Sequence, residues 1–354
     1  MPPTPPSTAP NARATASRNN PSNCPAAAHR RALVYNRGMS TSDRLIHLLA
    51  DGAVHSGRAM GETLGLSRAA VCKAVKRLQG EGLAVESLGG RGYRLRAPLS
   101  LLSASAIHDS LPTRWRALEV TVLREVDSTN AWVVAGGRER LACLAERQTA
   151  GRGRRGRAWL ATPYRNILLS LGWRFEVDVA HVAGLSLALG LAALNALEAA
   201  GVEGLALKWP NDILRHGRKL AGLLIELRAE AGGPTFAVIG LGVNVRVDAD
   251  EGERIEQAWA DLADLPVIDR NALAAGLLAG LCDCCERFAR EGFAPIRAAW
   301  DARHAYQGRV VRLIQGTRTV EGAVQGVDAQ GALVLRIDGH DTRFDAGEVS
   351  LRPL

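Results

Sequence analysis

Seven consecutive residues, Gly151-Arg152-Gly153-Arg154-Arg155-Gly156-Arg157, contain three glycines and four arginines. Glycine lets a backbone take φ > 0 and bring its N–H groups close to a ligand. Each arginine adds five donors in a rigid fork that fits phosphate or carboxylate. Such a run reads as a loop that holds a polyanion or, taken alone, as a solvated basic turn. Its spacing matches G-x-G-x-x-G, but the dinucleotide fingerprint opens a helix at its last glycine. Here Ala158-Trp159-Leu160-Ala161-Thr162-Pro163 follows, which reads as loop. No Gly-Lys-Ser/Thr follows either, so the run is not a Walker A loop. Any phosphate grip must be of another kind.

The neighbourhood is more specific than the run. Asp127-Ser128-Thr129-Asn130 lies upstream, and Gln148-Thr149-Ala150 directly precedes the loop. Downstream come Lys208-Trp209-Pro210-Asn211-Asp212, Arg218-Lys219-Leu220-Ala221-Gly222 and Gly240-Leu241-Gly242-Val243-Asn244. This ordered set resembles the catalytic domain of biotin protein ligases. A DNA-binding pattern precedes it, so the chain from about Ser40 to Leu354 is similar to the bifunctional bacterial ligase and biotin-operon repressor family.

The chain is 354 residues long and 47% apolar, enough for two or three domains with substantial cores. Its formal charge is +8, but residues 1–38 hold Arg13, Arg18, Arg30, Arg31 and Arg37 and no acid, so 8 − 5 leaves +3 for the rest. Basicity is therefore local, and placement decides whether nucleic acid is a partner. Of the cysteines, Cys282, Cys284 and Cys285 fall in an Ala/Leu-rich helical run with no zinc spacing, and read as free thiols of a reducing cytosol. No metal ligands stand out. Ser186, Asn195 and Glu198 interrupt the apolar stretch 183–200, which argues against a membrane span.

Residues 1–40 are a Pro/Ala/Ser/Thr/Arg leader without core-forming side chains, expected to be disordered or to reflect a true start at Met39. Residues 41–97 read as a winged helix-turn-helix. Ser67 is a natural N-cap for a third helix, Arg68 to Leu78, whose buried stripe is Val71, Ala74, Val75 and Leu78. Its other face carries Arg68, Ala69, Lys73, Lys76 and Arg77, which suits a helix in a major groove. Residues 85–95 form two short strands about a glycine turn, with Arg91 and Arg94 able to reach phosphates. A small helical module for protein contacts is the competing reading. Residues 98–303 alternate strands and helices, and Gly240 and Gly242 inside one strand mark close approach of a ligand or another chain segment. Residues 304–354 carry short strands between glycine turns, a small barrel pattern.

The resemblance implies an α+β chain. It has an N-terminal winged helix, a central mixed α/β ligase domain of the class II aminoacyl-tRNA synthetase-like kind, and a C-terminal SH3-like β-barrel. It also implies that ATP with Mg²⁺ activates biotin as biotinyl-5′-adenylate, and that a lysine of a biotin carboxyl carrier protein then takes the acyl group. Carried over motif by motif, Lys219, Arg154 and Arg152 are the catalytic candidates. Ser128, Thr129, Asn130, Gln148, Gly153 and Gly222 join them around biotin. Arg157, Asn211, Asn244 and Trp259, together with Arg154 and Lys219, are nucleotide contacts, and Trp159 and Trp209 are packing, unless one is the family tryptophan near the site. Ser128-Thr129-Asn130 by itself also fits a helix N-cap. Further expectations are operator DNA as a partner, an adenylate-bound homodimer, and a cytoplasmic enzyme without membrane contact. Alternatives are a ligase with a non-repressing N-terminal domain and a lipoate-type acyl ligase.

Overall fold

The computed structural model describes residues 40–229, 232–266, 268–315, 318–345 and 349–353. The leader of residues 1–39 lies outside them. Ser40 does not belong with that leader: it caps the first helix, Thr41–Leu49 (α1), in a reciprocal capping box with Asp43. Gly57–Leu64 (α2) stops at Gly65 in the left-handed conformation. Arg68–Gly80 (α3) starts at Ser67, whose side chain accepts from Ala70 N at 3.2 Å. The expected stripe Val71, Ala74, Val75 and Leu78 packs on Leu45, Ile46 and Leu49. Val85–Ser87 (β1) and Tyr93–Leu95 (β2) pair antiparallel as the wing.

After Ala104–Ser110 (α4), the central domain is built on seven strands. These are Glu119–Val126 (β3), Leu141–Gln148 (β4), Ile167–Phe175 (β5), Leu205–Lys208 (β6), Asp212–Arg215 (β7), Arg218–Ala229 (β8) and Thr235–Val243 (β9). Their order is β3-β4-β5-β9-β8-β7-β6. Only β3 and β4 run parallel, joined through Thr129–Gly136 (α5). Strand β7 has no clear sequence signal, because it follows a hairpin through Trp209-Pro210-Asn211 where proline reads as a break. Leu185–Ala199 (α6) and Arg270–Glu291 (α8) cover one face of the sheet in the main core. The span Val179–Ala199, with mean hydropathy 1.7, is long and apolar enough to cross a membrane by composition. In the fold its leucines lie in that core.

Short helices Ala249–Glu253 (α7) and Arg297–Asp301 (α9) flank α8. The C-terminal unit is a five-stranded antiparallel sheet of Val310–Gln315 (β10), Arg318–Val327 (β11), Leu333–Ile337 (β12), His340–Phe344 (β13) and Val349–Pro353 (β14), in the order β13-β12-β11-β10-β14. Its Val311, Leu313 and Leu335 join the main core, and Trp209 Nε1 donates to Gly331 O at 3.1 Å. Trp209 is the packing residue expected.

Two contacts tie the winged helix to the rest. Tyr164 comes from the segment after the Arg/Gly loop, yet its ring lies in the core of the winged helix, 4% exposed. Arg124 on β3 donates to the Tyr164 hydroxyl at 2.9 Å and pairs with Asp43 at 2.9 Å and with Glu81. Beneath it, the buried Arg270–Glu146 pair (2.8 Å) receives the linker and the loop end together. Arg270 donates to Ser100 O, Tyr164 O and Asn166 O, and Glu146 accepts from Leu102 N.

Candidate active site and nucleic-acid interface

Parallel pairing of β3 with β4 sets Val126 beside Gln148 and so brings two of the motifs together. Ser128 is both the cap of α5 and a wall of a narrow slot, so the helix-cap reading and the site reading coincide. Thr129 N and Oγ1 donate to Gln148 Oε1 at 2.7 and 3.1 Å. Asn130 Nδ2 donates to Leu224 O at 3.2 Å and to Glu226 Oε2 at 2.7 Å. Ser170 Oγ lies 2.6 Å from Asn130 Oδ1 and 2.8 Å from Thr129 Oγ1. The result is a hydrogen-bonding slot of about 30 Å³, closed on the sheet side by Gly222, Gly240 and Gly242, with Arg152 at its edge.

The glycines in β9 give room to side chains. A Cβ on Gly240 would meet Asn130 Oδ1 at 2.4 Å, and one on Gly242 would meet the Trp159 indole at 2.4 Å. Trp159 thus packs on Gly242, as expected from sequence, and also faces the site. Its ring lines the slot and both larger cavities, and its Nε1 is buried without a hydrogen-bond partner. Sequence carried a signal for it, since glycines inside a buried strand need something large opposite.

The Arg/Gly loop closes as a narrow hairpin. Gly153 N donates to Arg157 O at 2.7 Å and Trp159 N to Gly151 O at 2.9 Å. Arg155 and Gly156 turn it with φ 60 and 69. Arg152, Gly153, Arg154 and Arg157 all line a cleft of about 560 Å³ beside the slot, with Asn211, Lys219 and Gly222. Burial pulls the Arg154 guanidinium below its ordinary pKa and Arg155 adds to this, while Asp212 opposes both. Lys219 Nζ lies 2.8 Å from Asp212 Oδ1 and 5.4 Å from the Trp159 ring centre, a cation over an aromatic face. Asn211 Nδ2 is committed to Leu223 O at 2.7 Å.

A third cavity of about 300 Å³ continues from the cleft past Arg157, Trp159 and Lys219 to Asn244 and Trp259. The segment carrying Trp259 pairs with the start of β8: Lys219 N donates to Ala258 O, and Ala260 N to Lys219 O. Trp259 Nε1 donates to Gly252 O at 3.1 Å. Asn244 is buried, donating to Ala260 O at 3.3 Å. Every residue expected around biotin and the nucleotide therefore lines one of three adjoining cavities, and Trp159 lines all of them. Sequence reasoning missed Ser170 and Glu226. An acid amid the apolar run of β8 was the available signal for Glu226. Among the described residues no group of three or more His, Cys, Asp or Glu side chains gathers to hold an ion.

On the winged helix, Ser67, Arg68, Ala69, Lys73, Lys76 and Arg77 are exposed along α3, with Arg91 and Arg94 on the wing. Two of these cations have local acidic partners: Arg77 pairs with Glu81 at 2.9 Å and Arg94 with Glu86 at 2.8 Å.

Family models match the chain in the same three parts: an HTH domain at 42–94, the biotin/lipoate A/B protein ligase family at 122–244, and the biotin protein ligase C terminal domain at 307–352. The bifunctional ligase/repressor BirA of Salmonella typhimurium is 41% identical over 312 residues, covering 87% of this chain and 96% of its own. This chain belongs to the biotin protein ligase family. The biotin–[acetyl-CoA-carboxylase] ligase of Mycobacterium tuberculosis is 37% identical, covering 72% of this ligase and 97% of its own chain. Among solved structures, the Aquifex aeolicus biotin protein ligase in complex with biotin and ATP superposes with a TM-score of 0.58 at 26% identity, over 67% of this ligase and 99% of that chain.

Proposed function

We propose that this ligase activates biotin with ATP as biotinyl-5′-adenylate, passes it to a carrier lysine, and represses biotin genes while the adenylate stays bound. One observation carries the catalytic half: a polar slot of hydroxyls and amides adjoins a cleft lined by Arg152, Arg154 and Lys219. A ureido ring has two N–H donors and one carbonyl, matching the hydroxyls and amides of Ser128, Thr129, Asn130 and Gln148. Its carboxylate then points to the cations. The biotin carboxylate oxygen attacks the α-phosphorus, the bond to the bridging oxygen breaks, and pyrophosphate leaves. Arg152, Arg154 and Lys219 stabilise charge building on the α-phosphate. Arg157, Asn211, Asn244 and Trp259 are assigned to the nucleotide. Magnesium enters on the triphosphate as part of the substrate.

The carrier lysine, as free amine, attacks the acyl carbon of the mixed anhydride and AMP leaves. The hydroxyls and amides of the slot suit a ureido ring and not an apolar dithiolane, and a match to the biotin ligase C-terminal domain accompanies them, which favours biotin over lipoate. For the second activity, α3 enters the major groove of operator DNA and Lys73, Lys76 and Arg91 contact phosphates. The bifunctional relative supports this half, which requires an adenylate-bound homodimer in the cytoplasm. Incubating the chain with biotin, MgATP and a biotin carboxyl carrier domain tests the reading. The carrier should gain one biotinyl group by mass; an unchanged mass would overturn it.

A further inference from the structure

Glu226 stands at the one point where the Arg/Gly loop touches the floor of the slot. Its Oε2 accepts from Asn130 Nδ2 at 2.7 Å and from Arg152 Nη2 at 3.2 Å. The first bond has consequences beyond itself. An ionised carboxylate and a backbone carbonyl can only accept. Glu226 and Leu224 O therefore both force the Asn130 NH₂ toward β8 and turn its Oδ1 toward Ser170 and Gly240. Ser170 Oγ has a single hydrogen, which the shorter contact of 2.6 Å gives to Asn130 Oδ1 in preference to Thr129 Oγ1 at 2.8 Å. Thr129 N in turn holds Gln148 Oε1, which leaves the Gln148 amide nitrogen beside Gly151 at the loop root. The polarity of the slot is thus set from two acceptors on β8, of which the Glu226 carboxylate is the closer.

The second bond ties the loop down. Arg152 sits at the base of the hairpin, bridged to Ala158, and Glu226 is its carboxylate partner across 74 residues of sequence. A ligand carboxylate or phosphate that approaches Arg152 competes with that partner for the guanidinium.

We propose that Glu226 is a positioning residue that fixes the slot's hydrogen-bond polarity through Asn130 and holds Arg152 until an anionic ligand replaces it. This rests on the assignment of the slot to the biotin ring. With Oδ1 facing Gly240, Asn130 meets a ring N–H as an acceptor; flipped, it would present a donor to a donor. The carboxylate touches neither reacting atom, so its removal acts on binding more than on turnover.

The test uses the full chain and pyrophosphate release with biotin and MgATP. Glu226→Ala should raise KM for biotin about tenfold, the scale of a buried amide losing one partner, with kcat within about twofold. Glu226→Gln keeps an acceptor oxygen for Asn130 and should bring KM back to within about threefold of the parent. Both variants lose the charge that holds Arg152, so limited trypsin without ligand should cut the loop faster in both, and biotin with MgATP should restore protection. An unchanged KM in Glu226→Ala would overturn the polarity role, as would a Glu226→Gln variant that keeps the parent melting temperature yet fails as badly. Loop cleavage equal to the parent would overturn the tie to Arg152. A parent chain that releases no pyrophosphate with biotin would instead refute the slot assignment itself, so the two failures are separable.

Discussion

At Lys219, a cation is held between an acid and an indole face, with Asp212 at 2.8 Å and the Trp159 centroid at 5.4 Å. In the proposed adenylation, such a charge would be aimed before the substrate arrives and would cost little reorganisation as α-phosphate charge develops. Lys219→Ala should slow adenylate formation about 10²–10³-fold with the melting temperature retained. Lys219→Arg should not recover the rate, because a planar fork does not replace a point charge. Rapid-quench measurement of adenylate decides both, and near-normal adenylation by Lys219→Ala would remove it from the mechanism. A second residue predicts acid behaviour. His304 is buried against Trp300 and Tyr306, and neither ring nitrogen has a hydrogen-bond partner among the described residues. Burial pulls its pKa from 6.5 down to about 4. The unfolded chain therefore binds a proton that the native fold refuses, so its contribution is intact above pH 6.5 and lost as pH falls toward 4. The loss at the acid end is on the order of 3 kcal/mol at 1.36 kcal/mol per pKa unit. His304→Phe keeps an aromatic ring and should flatten the acid limb of stability between those values. Melting curves of both proteins across that range check it, and parallel curves would contradict it.

Among the elements, α3 shows how far local chemistry reaches. Its start is set by Ser67, whose side chain holds Ala70 N, and Ser67→Ala should cost about 1 kcal/mol of helix stability and weaken operator binding, read by chemical denaturation and by gel shift. Binding by the parent should also fall steeply with salt, as counterion release at phosphate contacts requires. Caps, stripes and strand cores were legible because they depend on residues three or four apart, or on alternation along one strand. That is how Ser67, the Val71–Leu78 stripe and the glycines of β9 declared themselves. What sequence could not supply were partners brought in by topology. Strand β7 hides behind Trp209-Pro210, and Trp159 reads as packing until Gly242 is seen beneath it. Glu226 acquires meaning only when β8 runs beside α5, 96 positions from its Asn130 partner. The candidate site was readable as a set of residues because its motifs are contiguous; its wiring was not, because each bond joins different motifs.

For the whole molecule, a single winged helix reads only a short half-site, so two copies are needed for useful operator specificity. On the repressor reading proposed above, the central domain would supply the contact between copies. A ligand bridging the Arg/Gly loop and the segment around Trp259 would order surface for a second copy and so couple ligand and self-association positively. Sedimentation velocity should show a heavier species with biotin plus MgATP than without either. A species unchanged by ligand would leave a ligase without the regulatory half. The ring of Tyr164 bears on the molecule in another way. It belongs by sequence to the catalytic part and by packing to the DNA-binding part, and Arg124 fastens its hydroxyl to Asp43 and Glu81 through shared charge. A chimaera that exchanges residues 41–97 for a foreign helix-turn-helix would leave this ring facing a host shaped for another guest, while the donated module would lose part of its own interior. The two parts can be swapped only together with the segment around Pro163-Tyr164, so the unit that can be transplanted is larger than the unit that looks like a domain.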